Sequence, residues 1–153
     1  MIRALKTAEL VSGFGQINSQ MNIANQLKER DFKSFEGQPW NKMDEVLEQS
    51  FLKDYNELDI EPLDSVKRRL QSFQEMLQHN ISQITQVQSN ILIVTHGEIF
   101  SALLELMLKN SSCKNDLSFP YWPRNLQIAK LTFQEASFKL CDIDFSSQAK
   151  DSF

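Results

Sequence analysis

The feature that most constrains the fold is a short apolar run followed by a tight turn and an apolar helix. Residues 91–94 form an unbroken run of Ile, Leu and Val, which is typical of a strand buried on both faces. Thr95, His96 and Gly97 follow, and residues 99–108 are apolar over most of a helical surface. Strand, turn and helix in this order form half of a βαβ unit. The pattern therefore predicts an α/β protein with a partly parallel sheet.

The best-patterned helix lies between positions 62 and 85. Apolar residues there are three or four positions apart, which predicts a single apolar stripe on an α-helix. The stripe consists of Leu63, Val66, Leu70, Phe73, Leu77, Ile81 and Ile84. Pro62 suits the first turn of such a helix because its fixed φ is already helical.

Weaker patterns complete a three-layer α/β/α domain over residues 1–145, with a loose tail over 146–153. Residues 22–35 are expected to be extended or irregular. Further elements are expected in four places: helices over 2–11 and 39–54, and strands over 126–133 and 137–143.

Length and composition exclude several function classes. At one domain per roughly 150 residues, a chain of 153 residues is one domain. Its net charge of −4 argues against a nucleic-acid binder that relies on a basic face. Cys113 and Cys141 are too few for a disulfide framework and suit a reducing cytoplasm. The most apolar stretch, 91–108, contains Glu98 and Glu105, which a lipid-facing helix would bury at high cost. We therefore expect a cytoplasmic protein that binds neither nucleic acid nor a membrane.

His96 is the first candidate for chemistry. In open α/β sheets, ligands bind at the carboxyl ends of strands, where His96 is predicted to lie. Gly97 permits close backbone approach, and the N-terminus of the following helix directs N–H groups to the same place. Phosphate or another anion would suit this arrangement. A structural histidine bonded to a backbone carbonyl is the competing interpretation, and position alone leaves both open.

Three widely separated segments carry motifs that point to one family. Residues 2–9 read I-R-A-L-K-T-A-E, residues 27–37 read L-K-E-R-D-F-K-S-F-E-G, and residues 94–97 read V-T-H-G. In this order they resemble the histidine phosphatase superfamily, the phosphoglycerate mutase-like proteins. Members carry S-P-x-x-R-A-x-x-T-A, then L-x-E-x-x-F-G-x-x-E-G, then a strand ending in (S/T)-H-G. Residues 125–131, N-L-Q-I-A-K-L, resemble the last strand region of the family.

The resemblance implies a role for four residues. Arg3 matches the arginine that grips the transferring phosphoryl group, and Glu29 matches the acid that protonates the leaving oxygen. His96 matches the second family histidine, which hydrogen-bonds the phosphoryl oxygens, and Gly97 matches the glycine after it. These residue types suit the chemistry: a planar guanidinium fork, a carboxylic acid and imidazole N–H groups. Taken singly, Arg3 would be an exposed helix residue and Glu29 part of a solvated charge cluster.

One family motif does not occur in these 153 residues. Members begin with a strand ending in R-H-G, whose histidine is the nucleophile, and no R-H-G is present. The other histidine, His79, matches no motif and is expected on the surface of the long helix. The resemblance therefore implies a fold truncated at its N-terminus, without the first strand and helix, and an inactive chain. A start-site artefact, a clipped enzyme and a degenerate relative remain open.

Two further positions depart from the family pattern. Lys33 stands where the family has glycine, so the loop after Phe32 is expected to differ. Glu98 adds a negative charge beside the predicted pocket. It either favours a cationic or sugar-bearing substrate or interacts with the N-terminus of its helix.

Two functions remain. The resemblance implies metal-independent hydrolysis of small phosphorylated metabolites, without a cofactor, through a phosphohistidine in the intact family. The alternative is a non-catalytic relative that binds a phosphorylated ligand or a protein, with the aromatic loop 119–123 as a contact surface. A metal site at His96 and Glu98 is poorly supported, because two nearby side chains do not make a ligand set. The oligomeric state is not predicted.

Overall fold

The computed structural model describes three α-helices, two 3-10 helices and two strands. The helices are α1 (Ile2–Phe14), α2 (Leu63–Ser82) and α3 (Gly97–Leu108). The 3-10 helices are Asn25–Leu27 and Lys33–Phe35, and the strands are β1 (Ala129–Gln134) and β2 (Ser137–Ile143). The described residues are 2–15, 21–39, 41–42, 45, 60–84, 90–109, 127–134 and 137–143. Most of the predicted helix 39–54, the loop 119–123 and the tail 146–153 lie outside these ranges.

Helix α2 confirms the apolar stripe. It starts directly after Pro62, which caps the helix in an extended conformation rather than lying in its first turn. Four stripe residues are buried, namely Val66, Leu70, Phe73 and Leu77. Ile81 is partly buried against the core, whereas Ile84 lies beyond the end of the helix and is exposed. The 3.6-residue period thus places the stripe on the core side of α2.

Helix α3 is apolar over most of its surface because it contributes residues to two hydrophobic clusters. Ile99, Leu103 and Met107 join the α2 stripe in one hydrophobic cluster, which also includes Phe138 of β2. A second cluster contains two buried leucines of α3 and partly buried residues of both strands. Its members include Leu104, Leu108, Ala129, Leu131 and Leu140. Helix α3 therefore packs against both α2 and the two-stranded sheet.

The two predicted C-terminal strands form an antiparallel hairpin. Their register pairs Ala129 with Ile143 and Gln134 with Ser137, with an irregularity after Lys130. The strand predicted over 126–133 is confirmed but shifted toward Gln134, and the second strand has the predicted bounds.

The structure contradicts the prediction of a buried parallel strand at 91–94. These residues have no regular secondary structure, and Ile91 and Leu92 are 50% and 55% exposed. Ile93 does pack against the core. A strand requires a hydrogen-bonded neighbour, and in the described part of the chain nothing pairs with this segment. Helices and a small antiparallel sheet are consistent with an α/β class.

Helix α1 confirms the predicted N-terminal helix and extends it to Phe14, where the chain turns at Gly15. None of its residues is buried, and the side chain of Phe14 is 87% exposed. No described helix is long and apolar enough to span a bilayer.

Candidate functional site

Glu29 and His96, far apart in sequence, meet in the structure. The Nδ1 atom of His96 lies 3.3 Å from Oε2 of Glu29. Glu29 lies on an irregular loop, and His96 is the residue that precedes the first turn of α3. Leu27 and Ile93, just before each of them, pack against the hydrophobic core. Core packing therefore anchors the chain just before each of the two residues.

The second ring nitrogen of His96 is buried and has no partner among the described residues. The residue is 8% exposed, and its Nε2 atom makes no hydrogen bond within the described part of the chain. Its carbonyl accepts the Phe100 N–H at 2.7 Å, so the residue begins α3 through its backbone and not through its side chain. As a purely structural residue, His96 was expected to bond a backbone carbonyl through its ring. The described partner of the ring is instead the carboxyl group of Glu29.

Burial shifts both members of the pair toward their neutral forms. Burial raises the pKa of Glu29, and the nearby charge of Glu98 adds to this effect. The hydrogen bond from the Arg30 N–H and the charge of Arg3 lower the same pKa, but burial is the largest cause. Burial also lowers the pKa of His96, and the positive charge of Arg3 acts in the same direction. A carboxyl group with a raised pKa is suited to give up a proton to a leaving oxygen.

Arg3 and Gly97 complete the set of predicted site residues. Arg3 lies on the exposed helix α1, and its charge acts on the pKa of both Glu29 and His96. Gly97 is the first residue of α3, where backbone N–H groups are unpaired within the helix. The structure thus brings Glu29, His96 and Gly97 together. Direct contact between Arg3 and a bound phosphoryl group stays a prediction.

The motifs at 2–9, 27–37 and 94–97 belong to a match over nearly the whole sequence. The family model of the histidine phosphatase superfamily (branch 1) matches residues 1–144. The chain belongs to this superfamily. Comparisons with curated proteins and with solved structures gave no match. The roles that the superfamily implies for single residues of this chain remain predictions.

One residue beside the pair, Arg30, was not expected to take part in the site. Arg30 is 3% exposed, and its NH1 atom lies 3.1 Å from Oε1 of Glu98. Its Nε donates to the carbonyl of Glu61 at 2.7 Å, and its guanidinium lies 5.8 Å from the ring centroid of Phe32. Glu98 thus pairs with a buried arginine next to the site. The sequence carries little indication that Arg30 is buried, because it stands in a charged run that is typical of a solvent-exposed surface.

Lys33 stands at the superfamily's glycine position, and the expected difference in the loop after Phe32 stays a prediction. Its φ is +51°, a left-handed conformation that glycine adopts freely and lysine rarely. Asp31 supports this turn, since its carboxyl accepts the Lys33 N–H at 3.0 Å. Lysine thus adopts at this position a backbone conformation that glycine favours.

The described residues offer no ready metal centre. No group of three or more His, Cys, Asp or Glu side chains within the described ranges is arranged to hold a metal ion. The chemistry of this donor set is that of an anion site: one imidazole, one carboxyl, one arginine nearby and a helix N-terminus.

Proposed function

We propose that Glu29, His96 and Gly97, with Arg3, form the binding site for the phosphoryl group of a small phosphorylated metabolite. The supporting observation is the buried Nε2 of His96, which has no described partner and adjoins the N-terminus of α3. Imidazole N–H and backbone N–H groups at one point stabilise phosphoryl oxygens.

In the intact family this pocket serves hydrolysis of phosphomonoesters through a phosphohistidine, without a metal. We propose that Glu29 is the proton donor to the leaving oxygen, which its raised pKa supports. The attacking histidine belongs to the R-H-G motif, which does not occur in these 153 residues. His79 is exposed on α2 and matches no motif. We therefore propose that the chain binds phosphate groups but does not turn over phosphomonoesters.

The three-layer arrangement of the family belongs to the same proposal. Ile91 and Leu92 are about half exposed at the start of the segment that leads into His96. Exposed apolar residues of this kind support the interpretation that the segment packs against another strand in the family fold. We propose that, in family members with the R-H-G motif, the strand that ends in this motif packs there, beside the segment that leads into His96.

Phosphate titration of the 153-residue chain tests the proposal. Isothermal calorimetry with inorganic phosphate should show binding to the wild type, loss of binding in His96→Ala, and no change in His79→Ala, the matched control. Hydrolysis of p-nitrophenyl phosphate should stay at background for all three, because a missing nucleophile removes several powers of ten in rate. Fusing the R-H-G segment of a family member upstream should restore turnover.

Two results would contradict this proposal. Turnover by the purified wild type that disappears in His96→Ala would identify His96 as the nucleophile. Absence of phosphate binding would instead favour the non-catalytic, protein-binding alternative. That alternative draws support from the apolar residues that α1 exposes, including Ile2, Leu10 and Phe14. The loop 119–123, its other basis, lies outside the described residues.

A further inference from the structure

The loop that carries Glu29 has little structure of its own. Residues 28–32 lie between the 3-10 helices Asn25–Leu27 and Lys33–Phe35 and adopt no regular secondary structure. A carboxyl group on such a loop would sample many positions unless other parts of the fold held its backbone. The contacts that hold this loop therefore decide whether Glu29 meets His96.

An ion pair between Arg69 of α2 and Glu61, which lies two residues before this helix, supplies most of these contacts. The Arg69 guanidinium contacts both carboxyl oxygens of Glu61, with Nε 3.0 Å from Oε1 and NH2 3.1 Å from Oε2. Arg69 also donates to the carbonyl of Gln26 and, at 3.5 Å, to the carbonyl of Glu29 itself. Oε2 of Glu61 accepts the Asp31 N–H at 3.2 Å, and the Glu61 N–H donates to the Asp31 carbonyl at 2.7 Å.

These hydrogen bonds reach the loop before, at and after Glu29, and all depend on two residues. The two side chains are 14% and 11% exposed, so water competes little for their donors and acceptors. Burial alone would raise the pKa of Glu61, but the hydrogen bonds from Arg69 and from the Asp31 N–H lower it. A charged, largely buried pair with this many partners is a rigid support.

We propose that the Glu61–Arg69 pair is a positioning device, which holds the loop at residues 26–31 so that the carboxyl group of Glu29 faces His96. This inference rests on the proposed roles of Glu29 and His96. The pair itself touches neither ring nor carboxyl of the site, so both members are positioning residues. Thr95 adds a second tie, since its hydroxyl donates to the Leu27 carbonyl at 2.9 Å and joins the two halves of the site.

The geometry of Arg69 requires a guanidinium. Five N–H donors in one plane can contact a carboxylate and two carbonyls at once, whereas the ammonium of lysine is a single point. Arg69→Lys therefore keeps the charge and removes the contacts. Arg68 supplies the matched control, because it is exposed and its hydrogen bond within the described chain goes to Asp64 on its own helix.

Titration of His96 by NMR in a double-mutant cycle tests the proposal. The chain has two histidines, so exposed His79 serves as an internal reference. Arg69→Lys should shift the titration midpoint of His96 by about 0.5 pH unit, about threefold in proton affinity, since the Glu29 carboxyl group 3.3 Å from its ring moves away. With Glu29→Gln already present, Arg69→Lys should leave the midpoint unchanged. Arg68→Lys should have no effect in either background.

Several outcomes would overturn the positioning role. One is that Arg69→Lys shifts the titration midpoint of His96 equally in the wild-type and Glu29→Gln backgrounds, which would mean that the substitution loosens the fold in general. The others are an unchanged midpoint in Arg69→Lys or in Glu29→Gln alone. If Arg69→Lys fails to fold, Glu61→Gln repeats the cycle with the opposite partner. The cycle needs no ligand, so loss of phosphate binding in the wild type would contradict the proposed function and leave this inference standing.

Discussion

The two parts of the molecule that contribute to the site are built differently. Glu29 and His96 follow residues that pack on the cluster shared by α2 and α3. Arg3 lies on α1, which buries none of its residues and contributes none to either hydrophobic cluster. Side chains fixed by core packing keep their geometry, whereas an exposed helix keeps little of its own in water. The candidate site is thus half preorganised.

A pair of leucine truncations should give the largest difference between these two parts. Leu70 on α2 is 1% exposed, whereas Leu10 on α1 is 60% exposed. Leu70→Ala should lower the free energy of unfolding by about 3 kcal/mol, through lost burial and a residual cavity. Leu10→Ala should change it by less than about 0.5 kcal/mol. Urea denaturation of both variants measures this, and equal losses would show that α1 is packed.

Two arginines extend the comparison to charges. Arg30→Met should cost about 2 kcal/mol in unfolding free energy, because it leaves Glu98 and the Glu61 carbonyl without their buried partner. Arg3→Met removes an exposed charge on α1 and should stay within about 0.5 kcal/mol. Thermal and urea denaturation of the two variants compare them directly. A neutral Arg30→Met would mean that the buried pair contributes no net stability.

The sequence predicted those parts of the fold that have a local period. The stripe on α2 and the apolar helix α3 each follow from spacing within one segment. The strand prediction for residues 91–94 was wrong because a strand requires a hydrogen-bonded neighbour, which the local sequence does not specify. Its apolar composition identified a residue that packs, Ile93, but could not supply a partner.

The candidate site shows the same division. The motifs identified Glu29 and His96, and the structure adds the 3.3 Å contact between them. The supporting charges were not found, because Arg30 and Arg69 stand in charged runs that are typical of a solvated surface. Their burial results from long-range contacts: Arg30 reaches Glu98, and Arg69 reaches the loop at Gln26. No pattern of spacing encodes such contacts.

Phosphate affinity should distinguish the two parts of the site. His96→Ala should abolish measurable binding of inorganic phosphate, because a buried donor next to the α3 N-terminus is lost. Arg3→Ala should weaken binding only about threefold, since an exposed charge is screened by water and salt. Lys6→Ala, on the same exposed helix, is the control and should change little. If Arg3→Ala abolishes binding as His96→Ala does, α1 holds its arginine as firmly as the core holds His96.

The smallest effect concerns two carboxyl groups near the same loop whose pKa values shift in opposite directions. Glu29 has a raised pKa, so between about pH 4.5 and its folded pKa the folded state binds the extra proton, and stability falls as pH rises. Glu61 has a lowered pKa, so its contribution is present above about pH 4.5 and is lost as pH falls through its folded pKa. Urea denaturation across this range should show that Glu29→Gln removes the decline above pH 4.5, whereas Glu61→Gln flattens the loss below it. If both variants change the pH profile in the same direction, the two carboxyl groups have the same kind of environment. The opposite roles of Glu29 as proton donor and Glu61 as charged support would then be contradicted.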